Sequence, residues 1–150
     1  MLLSKCIHPE ILEAVGKMGH GSRVLISDGG YPHITGSPTS AKKVWLNLMP
    51  DMLKVTDVLE ALTSVIPIEE AFVMVPPDES DQPIFIEFKK QLPDLELTKL
   101  QRLEFYDKAR EPDTALIIRS PCPQAEGENK RSPNPNAPRR PGKRWGGRQL

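Results

Sequence analysis

Met18-Gly19-His20-Gly21 sets an imidazole between two glycines, eight positions ahead of Asp28. A histidine gives and takes protons near neutrality, and a carboxylate close to it can orient the ring or bind a ligand hydroxyl. Flanking glycines free the backbone and clear bulk from around such a ring. The same residues also suit a plainer role: a histidine favoured at a helix C-terminus, and an aspartate that shapes a turn before Gly29-Gly30. Local spacing alone leans to that plainer role. Arg102, with Glu104, Phe105 and Tyr106, is a compact polar and aromatic group that could offer donors to a polyhydroxylated ligand or simply form a solvated helix face. His8, beside Pro9, and His33, in a Pro-rich loop, are weaker candidates, and three scattered histidines do not make a metal site. We assign no metal and no cofactor. Gly19-His20-Gly21 lacks the spacing and the lysine of a phosphate-binding loop, and no Ser or Cys sits in a nucleophile motif.

These residues need elements to position them. Residues 8–19 read as a helix, with Pro9 in its first turn, Ile11, Leu12, Val15 and Met18 on one face, and Gly19 as the stop. Residues 23–27 form a short apolar run of strand length, broken by Asp28-Gly29-Gly30. Residues 31–43, without period and rich in Gly, Pro, Ser and Thr, predict a loop, and 44–48 look extended. After a turn at Pro50-Asp51, Thr56 is a good N-cap for a helix that presents Val58, Leu59, Leu62, Val65 and Ile66 and ends at Pro67. Residues 71–75 read as a buried strand and 84–92 as a helix. Residues 97–100 suit a brief strand, 103–110 a helix, and 114–118 a final strand fit for the centre of the sheet. Strands alternating with helices predict an α/β fold, a mostly parallel sheet flanked by helices in a single domain.

The charge is uneven along the 150 residues. Residues 121–150 hold seven Lys or Arg against two Glu, which leaves thirteen against eighteen in residues 1–120. An acidic body argues against nucleic acid as a partner, because phosphate neutralisation needs clustered basic side chains. Cys6 and Cys122 lie far apart with no second pair, so neither a disulfide framework nor a zinc cluster is supported. With no signal-peptide pattern and no apolar run near the roughly 20 residues a bilayer span requires, no membrane is involved and the expected location is cytoplasmic.

The segments Pro9-Glu-Ile-Leu12, Met18-Gly-His-Gly21, Ser27-Asp28, Arg102-Leu-Glu-Phe-Tyr106 and Ala115-Leu-Ile-Ile-Arg-Ser120 resemble, in order and spacing, successive motifs of the fucose mutarotase and ribose pyranase family. The resemblance covers about residues 1–120, and Arg-x-x-Phe-Tyr favours its fucose branch. It implies a monosaccharide mutarotase without cofactor, with His20 as proton donor and Asp28 and Arg102 binding substrate. It also implies a homo-oligomer with sites near subunit contacts.

After Ser120 the family continues with Gly-Glu and a Tyr-x-Asn sugar-binding group on a last apolar strand, whereas here Pro121-Cys122-Pro123 opens a polar segment with no Tyr-x-Asn. Residues 121–150 contain six Pro and four Gly and almost no large apolar side chains, which predicts a disordered tail. The abrupt change points to a shifted reading frame or an alternative splice end. It also sets up a second reading: a sugar-binding or assembly protein that keeps the scaffold and has lost turnover.

Overall fold

The computed structural model describes residues 2–49 and 52–121. The expected turn at Pro50-Asp51 and the expected disordered tail therefore lie outside the described residues, apart from Pro121. Nine elements follow in chain order: α1 (Pro9–Val15), β1 (Arg23–Ser27), β2 (Lys42–Trp45), α2 (Val55–Thr63), β3 (Ala71–Met74), α3 (Ile84–Gln91), β4 (Leu97–Leu100), α4 (Arg102–Arg110) and β5 (Thr114–Arg119).

All strand pairs are parallel, as expected, but they form two sheets. The first has the order β1-β5-β2 and the second pairs β3 with β4. The last strand is the central one, because only β5 is apolar enough to be covered on both faces. Leu116 and Ile118 are fully buried with Val44 against Ile11 of α1 and Val58 and Leu62 of α2. Ile117 turns the other way and packs with Leu25, Tyr31, Ala41 and Ala109 of α4. Burying each such aliphatic side chain stabilises the fold by about 1.5–3 kcal/mol. Helix α4 links the two sheets, since the Lys108 ammonium also lies 5.0 Å from the Phe72 ring of β3. Val73, Val75 and Phe85 form a smaller core under the second sheet.

Several boundaries differ from expectation. Helix α1 stops at Val15, because beyond Gly16 the amides of Lys17 and Met18 reach back only three residues, to Ala14 and Val15, and the last turn tightens. Helix α2 begins at Val55, with Lys54 and not Thr56 in the N-cap position, and Thr56 is buried in its first turn; it ends at Thr63, with Val65 and Ile66 bonding back to Leu62. Strand β2 begins two residues early despite two lysines and ends at Trp45, three residues short of the expected Leu48. The Lys43 ammonium donates to the carbonyls of Pro38 and Ala41, at 3.1 and 3.2 Å, so the polar start of the strand is satisfied by its own loop. Among the described residues no helix is long and apolar enough to cross a membrane.

Candidate functional site

His20 occupies the second position of a tight turn closed by the Ser22 amide donating to the Gly19 carbonyl at 3.1 Å. Gly21 follows with φ of +79°, a conformation a side chain would strain. The turn pushes the imidazole outward until its side chain is 89% exposed, and Nδ1 comes to 3.1 Å from the Glu69 carboxylate, just ahead of β3. His20 thus stands at the end of the sheets where strands begin.

Asp28 follows the last residue of β1. Its Oδ1 accepts from the amides of Gly30 at 2.8 Å and Tyr31 at 3.2 Å, so the turn-forming role of this aspartate is realised, while Oδ2 takes no part in the turn. The turn delivers Tyr31 into the core, where its hydroxyl donates to the Gly36 carbonyl at 2.6 Å. Burial pushes the Tyr31 phenol above its ordinary pKa, so it remains a donor.

Arg102 opens α4, directly after β4, and its guanidinium lies 5.4 Å from the Tyr106 ring centre. Tyr106 in turn meets Tyr31 edge-to-face at 5.2 Å. Arg102 and Asp28 therefore share the end of the molecule where strands finish, linked through two tyrosines. His20 does not join them within one chain. The five residues of β1 separate the two ends, about 16 Å at the usual rise of a strand.

A second group is assembled by strand register, although Ser27 and Arg119 lie in separate motifs. Ser27, Arg119 and Trp45 end β1, β5 and β2 and stand in register across the sheet. His33, from the following loop, is buried and hydrogen-bonded through Nε2 to the Ser27 hydroxyl at 2.8 Å, and its ring sits edge-on to Trp45 at 5.3 Å. Burial lowers the His33 pKa, the Arg119 charge lowers it further, and Asp28 opposes the shift, so the ring is neutral near pH 7. The signal that could have found this group is positional: in open parallel sheets, ligands sit beyond the carboxyl ends of the strands.

The remaining candidate, His8, lines an apolar groove of about 230 Å³ with Cys6, Ile11, Leu46, Val58 and Leu62. None of His20, Asp28 and Arg102 reaches it. Among the described residues no three His, Cys, Asp or Glu side chains gather into a metal-binding group.

Comparison with known proteins agrees with this architecture. The chain is 30% identical over 122 residues to fucose mutarotase of Mus musculus, an alignment covering 72% of this chain and 77% of that protein. It is also 30% identical over 67 residues to D-ribose pyranase of Variovorax paradoxus, across 45% of this chain and 48% of the relative. Its fold resembles that of Bacillus subtilis RbsD complexed with D-ribose, with TM-score 0.69, 20% identity and coverage of 81% and 88% of the two chains. It likewise resembles the fucose mutarotase from Streptococcus pneumoniae in complex with L-fucose, with TM-score 0.61, 19% identity and coverage of 75% and 82%. The RbsD / FucU transport protein family model matches residues 1–121, and the chain belongs to that family, whose curated members include sugar mutarotases and pyranases.

Proposed function

We propose that this chain is a monosaccharide mutarotase that interconverts the α and β anomers of L-fucose or a related sugar. The observation that carries this reading is the exposed imidazole of His20, held on a glycine turn beside a carboxylate, in a chain that aligns with fucose mutarotase along most of its length. Mutarotation opens the ring: a proton leaves the anomeric hydroxyl, another reaches the ring oxygen, the C–O bond breaks, and reclosure on the other carbonyl face gives the second anomer. No electron is transferred, so a general acid and base suffice, and such groups contribute about 10²–10⁴-fold in rate. With Nδ1–H directed to Glu69, the lone pair of Nε2 is left to accept the anomeric proton, and the resulting imidazolium can return one to the ring oxygen. Asp28 Oδ2 and the Arg102 guanidinium hold hydroxyls.

The separation along β1 has a consequence for this reading. A single monosaccharide cannot touch both His20 and Asp28 of one chain, so the site requires two copies, the turn of one meeting the strand ends of the other. The reading is thus a homo-oligomer, and its place is the cytoplasm, a reducing compartment where a free thiol such as that of Cys6 persists. A second reading, sugar binding or assembly without turnover, is favoured by one observation: the sequence carries no Tyr-x-Asn after Ser120.

Saturation-transfer NMR on L-fucose and D-ribose tests both. Anomer exchange accelerated by the chain and lost in His20→Ala is expected. Binding without accelerated exchange would establish the second reading, and neither binding nor exchange would leave the fold alone.

A further inference from the structure

We infer that Trp45 and Arg119 are substrate-binding residues, an indole platform and a hydrogen-bond donor that complete a monosaccharide subsite beside Asp28. The inference rests on the proposed mutarotase reading and goes beyond it in naming what grips the sugar. Three observations converge. First, Trp45 and Arg119 are neighbours in register at the carboxyl ends of β2 and β5, and Ser27, next to Asp28, completes the row on β1. Second, Trp45 is anchored edge-on by buried His33 yet remains 47% exposed, a flat apolar surface held in place and open to solvent. Third, Nε of Arg119 is buried with no hydrogen-bond partner among the described residues. Arg119 as a whole is only partly buried, so the donors it can turn to a ligand are the terminal nitrogens of its guanidinium.

That guanidinium lies against Gly29. A Cβ on Gly29 would stand 2.9 Å from Nη2 of Arg119, so the arginine passes directly against the backbone that follows Asp28. An apolar plate, a donor and a carboxylate oxygen outside the turn thus come together at one end of one sheet. A pyranose answers this combination, with a face of C–H groups for the indole and a rim of hydroxyls that both donate and accept. Trp45 and Arg119 act by binding, and the proton transfers stay with His20.

The test uses the full chain with Trp145→Phe, so that Trp45 is the one indole left. Titration with L-fucose should shift Trp45 emission saturably, at concentrations that match the KM for anomer exchange. Trp45→Ala should raise KM about tenfold, with kcat changed by less than about threefold, and Trp45→Phe should restore most of the affinity. Arg119→Gln should weaken binding in the same sense. Exchange that depends on His20 but keeps its KM in Trp45→Ala, with emission silent to sugar, overturns this inference and leaves the mutarotase reading standing. If the chain gives no exchange at all, that reading fails, and the emission titration still decides: a saturable shift abolished by Asp28→Asn upholds the subsite, and no shift removes it. Should Trp45→Ala not fold, the native indole's emission and the Trp45→Phe variant carry the same decision.

Discussion

Ser27 and His33 are hydrogen-bonded to each other at 2.8 Å, and both side chains are buried where β1 gives way to the long loop leading to β2. The bond pins that loop, and the His33 ring fills the space between Tyr31, 5.6 Å away, and Trp45, 5.3 Å away. His33→Ala removes the ring and leaves the Ser27 hydroxyl without this partner, so the expected loss of unfolding free energy is about 2–4 kcal/mol. Urea denaturation measures it. A loss below about 0.5 kcal/mol, the range of ordinary surface changes, would mean the loop is held by other contacts.

The same histidine gives stability a pH dependence with a definite sign. Its pKa in the folded chain is lowered from the ordinary 6.5, first by burial and then by the Arg119 charge. Between the two values the unfolded chain binds more protons, so stability is full above about 6.5 and falls as pH drops toward the folded pKa, then levels off. Glu13 and Glu111 are held below the ordinary carboxylate range by hydrogen bonds from Lys17 and Arg23, so their titration lies lower on the pH scale. Thermal melts at pH 7.5 and 5.5 should therefore show a drop that His33→Gln abolishes. An equal drop in both proteins would assign it to another group.

Much of this architecture is legible in the residues. The run Thr114-Ala-Leu-Ile-Ile118 reads as a final strand fit for the centre of the sheet, and it is the centre of the first sheet. The helices around residues 56–63 and 84–91 follow their apolar spacing. What local pattern does not carry is pairing. Nothing within residues 71–74 or 97–100 says that these strands bond to each other and leave β1, β5 and β2 as a separate sheet. The row Ser27, Arg119 and Trp45 is invisible for the same reason: its members are 18 and 74 positions apart in the chain and meet only through register. His33 reads as a weak candidate because its partners, Ser27 and Trp45, lie in two different strands.

Gly29 offers a change that separates binding from stability. It is exposed, and the atom an added Cβ would meet is the tip of a long side chain, which can move. Gly29→Ala should alter unfolding free energy by less than about 1 kcal/mol while displacing the Arg119 guanidinium. The expected result is a higher KM for anomer exchange with an unchanged melting temperature. An unchanged KM would show that Arg119 does not depend on this close approach to do its work.

The two ends of β1 make the strongest demand on the proposed mechanism. If one site takes His20 from one copy and Asp28 from another, His20→Ala and Asp28→Asn chains should each be inactive alone. Asparagine keeps the acceptor that Gly30 and Tyr31 bond to, so the turn after β1 survives in the second variant. Refolded together in equal amounts, the two variants mix at random, and about one site in four then receives an intact His20 from an Asp28→Asn chain and an intact Asp28 from a His20→Ala chain. Exchange of L-fucose anomers should return to roughly a quarter of the wild-type rate. A site built within one chain predicts no recovery, because every copy then carries one damaged residue. Light scattering on the mixture separates the two cases from simple failure to assemble: recovery requires an oligomer, and an intact mixed oligomer without recovery would overturn the two-copy site.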